Sequence, residues 1–148
     1  MTTVDIDDTE RDTLSLVSTP EWRSVCTRRH NILLEGSRIS TEAVLLLLGP
    51  SLREPVAWRR PGALFQIPSD TSGAFIVQDI ADLSRAEQSR LLMWMNEPSH
   101  PKQVISTATE PLFPLVARGQ FDETLYYRLN VVLLRVDARS LDVPAFRP

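Results

Sequence analysis

Four short runs of this chain are apolar at consecutive positions rather than alternate ones: Asn31 to Glu35 (NILLE), Phe75 to Ile80 (FIVQDI), Val104 to Thr109 (VISTAT) and Asn130 to Val136 (NVVLLRV). A strand with one wet face alternates apolar and polar residues, so near-continuous runs predict strands covered on both faces. Helical signals fall between them. Ser84 and Glu87 form a capping box ahead of a stripe of Leu83, Leu91, Trp94 and Met95, and Pro98 stops that helix. Ser40 to Leu48 reads as a helix closed by Gly49-Pro50, and Ser18-Thr19-Pro20-Glu21 as a helix start with Trp22 and Val25 facing inward. Pro55 to Trp58 reads as a further strand, Arg59 to Ser72 as a loop, and Leu112–Ala117 and Glu123–Leu129 as short helices around Gly119. Strands alternating with helices predict an α/β three-layer sandwich with a mainly parallel sheet.

The chain has 148 residues, enough for one core, with 43% hydrophobic and 24% charged residues. Its longest apolar run, Ala43 to Leu48, falls far short of the roughly 20 residues that cross a bilayer. The acidic N-terminus lacks the order of a secretory signal, which predicts a cytoplasmic protein. Residues 1–18 are rich in Asp and Thr and are expected to form a flexible acidic tail, with the folded domain over 19–137 and a second tail over 138–148. A net charge of −3 argues against sequence-independent nucleic-acid binding, and Arg28-Arg29 and Arg59-Arg60 read as solvated edges. Cys26 stands alone and reads as a half-buried structural side chain; His30 and His100 have no metal or triad spacing, so no metal site is expected.

Two segments carry a resemblance: Gly73 to Glu97 (GAFIVQDIADLSRAEQSRLLMWMNE) and Leu115 to Val132 (LVARGQFDETLYYRLNVV), the latter containing the string from Leu125 to Asn130. Arg60-Pro61-Gly62, followed by Phe65-Gln66, adds to it. Together they resemble the AAA+ ATPase domain of the sigma-54-dependent transcription activators over residues 20 to 137. The resemblance implies a P-loop/AAA+-like sheet, and because the chain ends just after the last strand, one lacking the helical lid.

It also implies positions for each working part of an ATPase. A P-loop, G-x-x-x-x-G-K-[ST], cradles phosphates with backbone N–H groups, a lysine and a magnesium-binding hydroxyl. In register, Gly36 keeps the first glycine, while Thr41, Glu42 and Ala43 stand at the second glycine, the lysine and the hydroxyl. The Walker B acidic pair aligns with Gln78 and Asp79, and the sensor asparagine with Thr109. Of the two arginines that act across a subunit boundary, the first aligns with Asp122 and the second survives as Arg128, which reads as a structural ion-pairing residue or a remnant of the subunit contact. Nothing in the sequence resembles the GAFTGA loop that touches the sigma factor.

These substitutions predict a non-catalytic pseudo-AAA+ protein-binding or regulatory module: no catalytic residues, no cofactor, not an enzyme. Its expected partner is a protein, such as an intact AAA+ regulator or a signalling component, and its expected state a monomer or dimer. The acidic tail and the loop from Arg59 to Ser72 are candidate docking elements. Two alternatives stay open: an atypical nucleotide-binding sensor or ATPase remnant, and a structural subunit that self-associates through the ancestral ring interface.

Overall fold

A computed structural model describes residues 2–6, 20–62, 65–68, 73–98 and 103–136. The strands are β1 (Thr2–Ile6), β2 (Ile32–Gly36), β3 (Val56–Arg59), β4 (Ala74–Val77), β5 (Gln103–Ala108) and β6 (Val132–Val136). The helices are α1 (Pro20–Arg28), α2 (Arg38–Leu48), α3 (Arg85–Asn96), α4 (Phe113–Ala117) and α5 (Glu123–Leu129). They form one sheet in the order β1-β6-β2-β5-β4-β3, and every ladder is parallel.

Strand parity assigns the two cores. Leu33, Phe75, Val77, Val104, Ala108 and Leu133 face one layer, which α3, α4 and α5 cover with Leu91, Trp94, Val116, Leu125 and Leu129. Ile32, Leu34, Ile76, Ile105, Val132 and Leu134 face the other, covered by Trp22 and Val25 of α1 and by Val44, Leu45 and Leu48 of α2. The expected three-layer architecture with a parallel sheet is therefore present, and the consecutive apolar runs are its central strands. The capping box is present too. Ser84 Oγ accepts from Glu87 N at 3.2 Å, and Glu87 Oε1 accepts from Ser84 N at 2.8 Å. Among the described residues, no helix is long and apolar enough to cross a membrane.

The N-terminus differs from expectation. Thr2–Ile6 is not part of a tail but the edge strand of the sheet, paired Thr2↔Val132 through Ile6↔Val136. A parallel ladder is made by main-chain groups, and the β-branched Thr2, Thr3, Val4 and Ile6 suit the extended backbone without a long apolar run. Residues 7–19, with the Ser18-Thr19 cap, lie outside the described residues, as do His100 and the stretch 138–148.

Two glycines mark close backbone crossings. A Cβ on Gly73 would lie 2.1 Å from Pro55 O and 2.4 Å from Arg53 O, where the chain enters β4 beside the start of β3. A Cβ on Gly36 would lie 2.4 Å from Val136 O of the neighbouring strand. Backbone atoms cannot swing aside as a side-chain tip can, so Gly73→Ala is expected to cost about 1–3 kcal/mol or more. Urea denaturation measures it. Ser84→Ala, which removes one half of the capping box, is expected to cost about 1 kcal/mol in the same assay.

Candidate functional site

The carboxyl ends of β2, β4 and β5 bring the Walker-like positions together. In a phosphate-binding turn, the whole G-x-x-x-x-G-K segment lies between strand and helix. Here β2 ends at Gly36, α2 begins at Arg38, and Ser37 alone separates them. Ser37 acts as the N-cap: its Oγ accepts from Ser40 N at 3.1 Å and contacts Ser40 Oγ at 2.8 Å. Thr41 N donates to Ser37 O at 2.9 Å, and Thr41 Oγ1 donates to Arg38 O at 3.1 Å. Thr41 is thus a buried residue of the helix interior, Glu42 lies half-buried one turn into it, and Ala43 packs against the α1–α2 core. The helix begins two residues earlier than its sequence pattern suggests. The polar cap Ser37 starts it, and nothing in the next turn breaks it.

Gln78 and Asp79 come directly after β4. Gln78 is buried, and its N–H donates to Arg59 O at 3.0 Å. Asp79 sits at φ 57, ψ 50, in the left-handed region, with its N–H donating to Thr107 Oγ1 at 3.0 Å. Its Oδ2 accepts from Arg38 Nη2 at 3.1 Å and from Arg60 Nη1 at 3.0 Å. Arg60 Nη2 lies 3.8 Å from Glu42 Oε1. Two arginines and two carboxylates therefore run from the first turn of α2, across the exits of β4 and β3, and back to α2. Arg38, Arg60 and Thr107 escape sequence reasoning. Arg60 is half-exposed, as a solvated edge requires, but it is also an internal ion-pair partner.

Thr109 does not join this group. It lies exposed just beyond β5, and Thr107, two residues earlier, makes the contact with the Asp79 backbone. Asp122 and Arg128 point elsewhere. Asp122 is the N-cap of α5: its Oδ1 accepts from Leu125 N at 2.8 Å, and its own N–H donates to Gln88 Oε1 at 2.8 Å. Arg128 hydrogen-bonds Asn96 Oδ1, and its Nη2 donates to Met95 O at 3.1 Å. Of the two readings of Arg128, the ion pair is not what the described residues show: its partners among them are an amide and a carbonyl at the C-terminal end of α3, where the exposed carbonyls attract a cation, and the remnant of a subunit contact stays open. His30 is exposed, and among the described residues no group of three or more His, Cys, Asp or Glu is placed to hold a metal ion.

A second polar group lies beneath α5. Glu35 is buried at the end of β2; its Oε2 accepts from Leu112 N at 2.9 Å and its Oε1 lies 3.6 Å from Arg135 Nε. Burial, followed by the Glu35 carboxylate, raises the pKa of the Tyr126 phenol above its ordinary value. A phenol whose folded-state pKa is raised adds stability that is full below the unfolded value of about 10 and is lost as pH rises through the folded value. Ultraviolet titration is expected to show one tyrosine ionising above the ordinary phenol range, a step that Tyr126→Phe removes.

The chain matches the family model of the sigma-54 interaction domain over residues 62–138. It is 32% identical to the HTH-type transcriptional regulatory protein TyrR of Enterobacter agglomerans over 43% of this chain, and spans 14% of the length of that protein. In structure it is similar to NtrX from Brucella abortus in complex with ADP, with a TM-score of 0.62 and 19% identity over 77% of this chain and 33% of that one. It is also similar to the P-loop NTPase domain of a sigma-54 transport activator from E. coli, with a TM-score of 0.57 and 15% identity over 77% of this chain and 87% of that one. At these identities the structural likenesses speak for the fold alone. The family match runs through β4, α3, β5, α4, α5 and β6, and this chain belongs to the sigma-54 interaction domain family.

Proposed function

We propose that the chain is a non-catalytic pseudo-AAA+ module that binds a protein partner and does not hydrolyse ATP. One observation carries the reading: Arg38 of the strand-to-helix turn is paired directly to Asp79 of the Walker B position. In an ATPase of this fold, those two chain segments hold magnesium and phosphate between them.

The residues present do not fit a magnesium triphosphate. A one-residue turn offers no ring of backbone N–H groups, because Ser40 N and Thr41 N already donate to Ser37. Glu42 places a carboxylate where a lysine would neutralise phosphate charge. Gln78 is neutral, so Asp79 has no acidic neighbour in its motif, and its Oδ2 is engaged by two guanidinium groups. The trans-acting positions fit the same reading, since Asp122 and Arg128 are tied to α5 and α3 of their own chain.

The partner class we favour is a protein of transcriptional signalling, such as an intact AAA+ regulator, met in the cytoplasm by a monomer or dimer of this chain. TyrR, a transcriptional regulatory protein, supports that choice of class. Isothermal titration of the chain with ATP and magnesium is expected to give no binding heat, and a micromolar Kd would overturn the proposal. Glu42→Lys alone is expected not to restore binding, because a restored lysine does not reopen the turn. Light scattering is expected to give a monomer or dimer; a hexamer would favour the ring-forming alternative.

A further inference from the structure

We propose that Arg38, Asp79, Arg60 and Glu42 form a nucleotide-independent latch, which holds the exits of β2, β3 and β4 in one fixed arrangement along the carboxyl edge of the sheet. The inference rests on the non-catalytic reading above and assigns a role to the charges that stand at the former site.

The four residues come from three separate places in the fold. Arg38 opens α2 immediately after β2, Arg60 directly follows β3, and Asp79 lies two residues beyond β4, while Glu42 is one helical turn from Arg38. In sheet order β5 separates β2 from β4, so the Arg38–Asp79 pair reaches over a strand that it does not join. That strand takes part through Thr107 Oγ1, which receives the Asp79 N–H at 3.0 Å. The carboxyl ends of four adjacent strands are therefore tied through Asp79.

The charges are balanced within the group, two guanidinium groups against two carboxylates, so the latch needs no bound counterion. Asp79 is its centre and the most sheltered member, with a side chain 17% exposed against 54% for Arg38 and 47% for Arg60. Its left-handed backbone aims Oδ2 at both arginines, and Asp and Asn are the non-glycine residues that adopt this conformation most readily. A P-loop ATPase joins the same segments through magnesium and phosphate, so their spacing changes as ligand comes and goes. A direct ion-pair tie does not change with nucleotide. It does respond to salt, because half-exposed pairs are screened.

Hydrogen–deuterium exchange of the full chain, without nucleotide, tests the latch. Asp79→Asn keeps a residue suited to the left-handed backbone and removes the charge. It is expected to speed exchange on the order of fivefold to tenfold across 37–42 and 78–83, as loss of two half-exposed pairs implies. Exchange in β6 should not change. Arg60→Gln, a milder surface change, is expected to give a smaller rise in the same two segments. Salt at about 0.5 M is expected to loosen them in the wild-type chain by screening the pairs. Unchanged exchange in both variants, or a rise spread evenly over the whole sheet, would overturn the latch. Adding magnesium and ATP to the wild-type sample separates the two readings. Nucleotide-dependent protection of 37–42 would overturn the reading of a site that takes no nucleotide, on which the latch rests, whereas failure of the variants without such protection refutes the latch alone.

Discussion

The burial of β2 on both faces is the constraint on which the rest of the structure depends. Ile32, Leu33 and Leu34 are fully buried, and β2 is paired on both sides, with β6 and with β5. A strand so placed needs helices above and below it, and the chain supplies α1 and α2 on one face and α3, α4 and α5 on the other. Fully burying each such aliphatic side chain contributes about 1.5–3 kcal/mol. Its far end is equally constrained. Gly36 pairs with Val136, and the close approach of that carbonyl leaves no room for a Cβ. This glycine is accounted for by sheet packing, whether or not a phosphate was ever bound beside it.

The short passage from Gly36 into α2 sets the chemistry of the site. With one residue between strand and helix, N–H groups near the helix start are turned to capping and to the first helical hydrogen bond. The first charged side chain of the helix then reaches the Walker B position. Local geometry and electrostatics therefore agree: the N–H groups of Ser40 and Thr41 are spent on Ser37, and an ion pair joins Arg38 to Asp79 across the gap.

Much of this fold is legible in the sequence because its signals are local. Consecutive apolar residues mark β2, β4, β5 and β6, and Ser84 with Glu87 marks the start of α3 through bonds only three residues apart. The site is less legible because its contacts are distant. Arg38 and Asp79 are separated by 41 positions, and nothing near either one announces the other. The choice between Thr109 and Thr107 turns on where β5 stops, which neighbouring strands decide. Arg128 keeps its identity in the motif, yet its role depends on the end of α3, 32 residues away at Asn96. Strand β1 escapes notice for another reason: its pairing is made by main-chain atoms, which composition does not report.

That first strand also orders the events of folding. Its ladder partner, β6, begins at Val132, so Thr2–Ile6 finds its place only after the described elements between the two have been made. During synthesis on a ribosome, Thr2–Ile6 emerges before the other described strands and waits longest among them, while the inner strands can already pair with one another. Once β6 arrives it is flanked on one side by β2 and on the other by β1, joining the first of the described strands to the last. Contacts so widely spaced in sequence close late and slowly. The arrival of β6 therefore does two things at once, covering the open edge of β2 and giving β1 its partner.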